Sequence, residues 1–415
     1  MKKYCFFVIS VMLMTIALTS CSEEDNSASR KFYLSAKQKS IIEQNNQFAF
    51  NFYKKFSNQA DVIGKSNVLS PMSVTYMLGM LNAGMQGEGC EEILNALGMD
   101  GCSTDDLNNL CQTLLHQSPL VDKNVTLWQA NCLVANKGVT LKDEYVYDMN
   151  VYYGAEVSSM DFSDQSTLLY INNWCMEHTN GLIPKIIEKI DPLASAMLLN
   201  AIYFDAPWAN NFDENNTKNL RFNKEDGSSK ILPLMCQTNS FAYGVNDTYA
   251  TVCLPYGESK MWNMYVLLPN EGKTVKNVLT RLTPKSWKEN VTQMSDDYSV
   301  NLRLPRFETS SDFCLNNVLS ALGIKTMFDS EKGNFSRMTD ATGASVSSIN
   351  QKAVIKVNEK GTEAAAVTYT DWDEEGEDDF GEVKTVNFFA NHPFVYLIQE
   401  ASSDAVFFIG TYQGE

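Results

Sequence analysis

Histidine is scarce in this chain of 415 residues: there are three, His116, His178 and His392. None stands at ligand spacing from another metal donor, and neither H-E-x-x-H nor G-x-S-x-G occurs. Triad members need not be close in sequence, but each histidine has an ordinary setting: a helix end, a late helical turn, the residue before a proline. No catalytic residue is assigned, and an enzyme is not expected. Positive charge is also short, 33 lysines and arginines against 50 acids for a net charge of −17. A chain this acidic has no electrostatic footprint for nucleic acid or an anionic membrane surface. "EKGTEAAA" lacks the further glycines and the GK[ST] ending of a phosphate loop, and "DWDEEGEDD" does not fit the D-x-[DN]-x-[DN]-G calcium pattern. No metal and no cofactor are therefore expected. Proline occurs only 11 times and no Ser/Gly/Pro-rich linker interrupts the body, which excludes beads on a string. There is no C-x-x-C. The eight cysteines beyond residue 21 are scattered and read mainly as small buried hydrophobes, with pairing left open.

Long apolar runs are missing too, apart from one at the start. Lys2 and Lys3 precede "YCFFVISVMLMTIAL" (4–18), and "LTSC" closes at Cys21. This is the charged start and short apolar core of a secretory signal, too short for a comfortable membrane span. A cysteine in place of an ordinary cleavage site resembles the lipobox of bacterial lipoproteins, so Cys21 is the expected lipidation site. "SEEDN" after it resembles the export tag of surface lipoproteins in the Bacteroides group. The expectation is a signal peptide over 1–20, a lipidated tether over 21–32, and one folded domain over 33–415. The protein would be an outer-membrane lipoprotein, surface-exposed or else facing the periplasm, on a lipid anchor.

Helical periodicity dominates the first half: 35–58, "SPMSVTYMLGMLNAG", "GCEEILNALG", 105–117, 141–150, and a helix from "YINNWCMEHTNGLI" ending near Asn180–Gly181. Leu169, Ile171 and Trp174 fall near one face of the last. Strands follow in 196–204, "WNMYVLLP", "NLRLPRF", "SINQKAVIKVNE", around 384–388, "FVYLIQE" and "AVFFIG", with one more helix over 312–323. Helices early, strands late and long separations between them predict a single α+β domain.

Residues 361–370, "GTEAAAVTYT", are small, and 371–382 hold eight acids that no core could accept. Alternate side chains separate cleanly. Thr362, Ala364, Ala366, Thr368, Thr370 and Trp372 are uncharged, whereas the other set carries Glu363, Asp371 and Asp373. Such a segment suits a sheet with one buried face, yet leaving it in water costs little. It is compatible with two states, loop and strand.

At this point the chain closely resembles the serpins. "VNEKGTEAAAVT" is similar to their hinge, "FFANHPFVYLI" to their C-terminal signature and "FFIG" to their final strand. "NVLSPMSV", "INNWCMEHTNGLI", "LLNAIYFDAPW", "LRLPRFE" and "LGIKTMFD" match in the same order, so the resemblance spans about 33–412. It implies three β-sheets, eight or nine helices and an exposed reactive-centre loop over about 361–387. It implies suicide-substrate inhibition of a serine protease, or of a cysteine protease since these acylate too, with a covalent complex and the cleaved loop inserted into the main sheet. A monomer is expected. The hinge would comprise Glu359, Gly361, Thr362, Ala364, Ala365 and Ala366. Family spacing puts the reactive bond at Glu375–Gly376, favouring proteases that cut after acidic residues. The loop is longer than usual, however, and cleavage near Phe380 or Lys384 stays open. Ser73, Asn200 and Gln351, the last usually histidine, correspond to positions that open and close the sheet. Trp208 corresponds to the tryptophan beneath the point where the hinge first inserts. The alternative reading is a non-inhibitory member acting as a surface binding protein.

Overall fold

The computed structural model describes residues 31–362 and 384–415. The apolar stripe of the first segment becomes α1 (Ala36–Ser57), opened by a capping box in which Ser35 and Gln38 satisfy each other's backbone amides. After β1 (Asn67–Leu69) comes α2 (Pro71–Gly84), buried at every residue. Ser70 caps it, and Pro71 fits a first turn that needs no N–H. Next come α3 (Glu88–Ala96), α4 (Thr104–Gln117), β2 (Thr126–Asn136), α5 (Asp143–Tyr153), β3 (Glu156–Met160) and α6 (Gln165–His178). The chain beyond α6 turns left-handed near the expected end, with φ of 50° at Asn180 and 79° at Gly181.

Strands then dominate: β4 (Ala196–Pro207), β5 (Lys218–Asn223), β6 (Ser229–Ser240), β7 (Tyr243–Val245), β8 (Tyr249–Tyr256) and β9 (Trp262–Pro269). Two short helices, α7 (Val275–Arg281) and α8 (Pro284–Gln293), precede β10 (Tyr298–Pro305) and β11 (Phe307–Cys314). The last helix is α9 (Asn316–Ala321). It is followed by β12 (Asn350–Asn358), β13 (Gly361–Thr362), β14 (Lys384–Phe389), β15 (Phe394–Glu400) and β16 (Val406–Tyr412).

These strands form three sheets, in the orders β11-β12-β13-β4-β2-β3, β14-β10-β6-β5 and β1-β16-β15-β9-β8-β7. The expected α+β architecture holds, with nine α-helices among the described residues. The first sheet matters most. Ile202, Phe204, Ala206 and Ile355 on its inner face belong to the large core shared with α2. Cys132, Val134, Leu199 and Ala201 on its outer face are covered by Ile171, Trp174 and Cys175 of α6. Both faces being covered, β4 reads as a nearly continuous apolar run and not as an alternation.

Three expectations need correcting. Leu169 is 58% exposed although Ile171 and Trp174 are buried: at helical spacing it lies too far around α6 to reach the sheet. Residues 312–314 end β11, where the ladder to β12 holds them extended through Cys314↔Asn350, so the helix begins only at Asn316. The eight cysteines among the described residues are all free; Cys111, Cys132 and Cys175 are buried, four others half-buried and Cys314 exposed. No helix among the described residues is long and apolar enough to cross a membrane.

Candidate functional site

Strand β12 alternates as its sequence does, with Gln351, Ala353, Ile355 and Val357 buried. At its end the chain folds back through Glu359 and Lys360, and two residues return as β13 between β12 and β4. Thr362 pairs with Val357 on one side and Ala206 on the other, and Gly361 with Asn358 and Pro207. Glu359 is only 3% exposed. Arg306 holds it through two hydrogen bonds, from Nη2 to Oε1 (2.6 Å) and from Nε to Oε2 (3.0 Å), and the Thr217 hydroxyl donates to Oε1 at 2.6 Å. Burial pushes this carboxyl up, but the Arg306 and Thr217 hydrogen bonds outweigh it and hold the group below the usual carboxylate range.

The turn is fastened from beneath by Trp208. Its backbone N–H donates to the Lys360 carbonyl and its indole Nε1 to the Asn358 carbonyl, both at 2.9 Å. The indole stacks on the Tyr256 ring, with centroids 4.4 Å apart and planes 11° from parallel. The Tyr256 hydroxyl in turn lies 2.5 Å from the Thr362 hydroxyl, with both residues fully buried. Gly361 lets the chain squeeze past β4: a Cβ there would lie 2.0 Å from the Ala206 carbonyl oxygen, and its φ of 154° suits glycine.

Lower down, a chain of polar groups crosses the space between the two strands. Gln351 on β12 donates from Nε2 to the Ser70 carbonyl (2.8 Å) and accepts from the Ser70 N–H (3.1 Å). The Ser70 hydroxyl caps Ser73 N at 3.1 Å, and the Ser73 hydroxyl donates to Asn200 Oδ1 on β4. Asn200 continues to Asn131 Oδ1 on β2 (2.7 Å), and Asn131 to the Tyr153 carbonyl (2.7 Å). Glutamine can fill the place that is usually histidine because its amide both donates and accepts. The connection between the strands thus runs through the end of α2 and not directly. Beyond the two residues of β13, no ladder joins β12 to β4 among the described residues.

The structure therefore brings Glu359, Gly361, Thr362 and Trp208 together at one end of this seam, and Ser73, Asn200 and Gln351 midway along it. Ala364, Ala365, Ala366, Glu375, Gly376 and Cys21 lie outside the described residues. Sequence reasoning missed Arg306, Thr217, Tyr256 and Asn131. Each is an ordinary residue on a distant element, with no local signal beyond the place of Arg306 in "LRLPRFE". The histidines keep structural bonds where partners are seen: His178 Nδ1 lies 2.8 Å from the Trp174 carbonyl and His392 Nε2 lies 2.9 Å from that of Pro269.

Residues 43–413 match the family model described as Serpin (serine protease inhibitor). A serpin-like protein of Thermococcus kodakarensis is 30% identical over 376 residues, covering 90% of this chain and 85% of the relative. The leukocyte elastase inhibitor of Homo sapiens is 29% identical over 356 residues, 83% and 92% of the two chains. Among solved structures, the native thermophilic serpin tengpin superposes with a TM-score of 0.81 at 26% identity, covering 92% of this chain and 96% of its own. Human thyroxine-binding globulin complexed with thyroxine gives 0.80 at 27%, covering 91% and 98%. With a family model matched over nearly the whole described body and the hinge turned back into the main sheet, the chain belongs to the serpin family.

Proposed function

We propose that this protein inhibits serine endopeptidases as a suicide substrate. Serpins are mostly protease inhibitors and not enzymes, and they form covalent complexes with target proteases. The observation that carries the reading here is the seam: β13 occupies its top, and below it the facing edges of β12 and β4 share no ladder. Backbone N–H and C=O groups along such edges, which have no ladder partner among the described residues below β13, can accept an added strand.

A protease would take the loop as substrate. Its serine Oγ attacks the Glu375 carbonyl, the bond to Gly376 breaks, the proton passes to the new amine, and an acyl-enzyme remains. The arm released after Thr362 extends β13 downward. In the register already set by Thr362↔Ala206 and Thr362↔Val357, each further residue steps back one along both neighbours. Ala364 then falls opposite Phe204 and Ile355, Ala366 opposite Ile202 and Ala353, and Thr368 opposite Asn200 and Gln351. The inward set is the uncharged one. Each new backbone hydrogen bond is worth about 1 kcal/mol net. Residues 361–375 span roughly 50 Å at about 3.3 Å each, enough to drag the acylated protease far from where it docked. Distortion of its oxyanion hole by a donor's worth, about 2.7–4 kcal/mol, stalls deacylation.

Acids on both sides of the reactive bond favour a target whose specificity pocket is lined by basic groups. Lipidation at Cys21 would hold the inhibitor on the outer membrane. Incubation with a panel of Glu-, Asp-, chymotrypsin- and trypsin-type proteases, read on denaturing gels, tests the reading. A band that survives boiling, at the summed mass of chain and protease, is expected. Turnover of the loop by every protease without such a band would overturn it in favour of a binding protein.

A further inference from the structure

At the foot of the seam, opposite the end where β13 begins, lies a cavity of about 60 Å³. That is room for several waters. Its lining is mixed: Met77 and Leu81 of α2, Leu198 of β4, Phe335 and Met338 are apolar, and the segment before β12 contributes serines. Ala196, the first residue of β4, and Ser347 both line it. Nothing in the trapping reaction described above gives this cavity an occupant.

The register of β13 supplies one. Strand β4 has twelve residues, Ala196 to Pro207, and Gly361 already pairs with Pro207. The twelfth residue of the arm, Trp372, is then the last with a β4 partner, and that partner is Ala196. Side chains directly opposite one another in an antiparallel pair share a face. Trp372 would therefore point the same way as Leu198, toward the large core. The next residue on that face is Glu374, so the uncharged set ends where β4 ends. An indole looks ill-suited to an arm of alanines and threonines, but at this position a large apolar side chain meets a space beside Ala196 and Leu198. The wall can also yield, since methionines adapt to fill or vacate volume.

From this coincidence of cavity, strand length and register we infer that the cavity is the receptor for the Trp372 indole, which seats there when the severed arm reaches the end of the sheet. The inference rests on the insertion reading but not on which bond is cut, because every candidate bond lies beyond residue 372. Trp372 is thus a positioning residue: it makes the last stretch of insertion favourable and retains the arm.

The test uses the whole protein, intact and cut in the loop, as wild type, Trp372→Phe and Trp372→Ala. Of the six tryptophans, Trp372 is isolated by subtracting the Trp372→Phe emission. Cleavage should shift its emission to the blue and protect it from acrylamide. Trp372→Ala should leave the intact protein's melting unchanged and lower that of the cut form by roughly 5 °C, the cost of a missing large core side chain in a molecule of this size. A cut protein that gains heat resistance while Trp372 stays fully quenchable, or in which Trp372→Ala melts with wild type, overturns the receptor and leaves the insertion reading standing. A cut protein with no gain in heat resistance overturns both.

Discussion

At the scale of single residues, the turn between β12 and β13 is held by Arg306, Thr217 and Trp208. Replacing Gly361 by alanine drives a Cβ into the Ala206 carbonyl, and backbone cannot swing aside as a long side chain can. Loss of about 1–3 kcal/mol of native stability is expected, as for overpacking elsewhere, measurable by urea unfolding. Glu359 carries a pH signature. Its folded carboxyl lies below its unfolded value, so its contribution is fully present above the unfolded carboxylate range of about 4 and is lost as pH falls through the folded value. Glu359→Gln should cost about 1–3 kcal/mol at neutral pH, since Arg306 and Thr217 lose a charged acceptor. The gap to wild type should close on acidification; a gap constant from pH 7 to pH 3 would remove the ion pair from the account. Glu359 and Gly361 were legible in the sequence because the hinge pattern is local. Their partners Arg306, Thr217 and Ala206 were not, because which strand runs beside which is decided by pairing over long separations.

At the scale of elements, β13 is the decisive one, and it is two residues long. Thr362 is fully buried, its hydroxyl at Tyr256. Thr362→Arg cannot keep that position without burying an unpaired guanidinium. The arm would be expelled at its first step, and the variant should be cleaved as a substrate, its stoichiometry of inhibition rising at least several-fold. An unchanged stoichiometry would mean that insertion does not begin here. The periodicity argument worked for α1, α2 and β12, where a stripe or an alternation survives in the sequence. It failed for β2, in a stretch where helical patterns dominate, and at 312–314, where an apolar repeat compatible with a helix was drawn into the β11–β12 ladder. Tertiary pairing overrides local preference most easily at element ends.

For the molecule as a whole, the intact chain is read as a trapped state. Severing the loop should raise the melting temperature markedly, seen by calorimetry on intact and cut samples, because the arm then completes ladders on both β12 and β4. Reductant should leave the melting of either form unchanged, since the eight cysteines of the described body are all free and no covalent brace contributes to the fold. A drop in melting temperature with reductant would mean that bridges form in solution.

The sequence by itself determined the family, the α+β class and the alternation of uncharged with charged side chains over residues 361–372. These are matters of residue type at fixed spacing, which a chain carries whether or not it is folded. Only the tertiary structure decided that β13 already lies between β12 and β4. Only it decided that the strands are bridged through Ser70, Ser73 and Asn200, and that a cavity lies beside the start of β4. Those depend on which distant backbones come within hydrogen-bonding reach, and on how volumes from α2, β4 and the segment around Phe335 happen to close against one another.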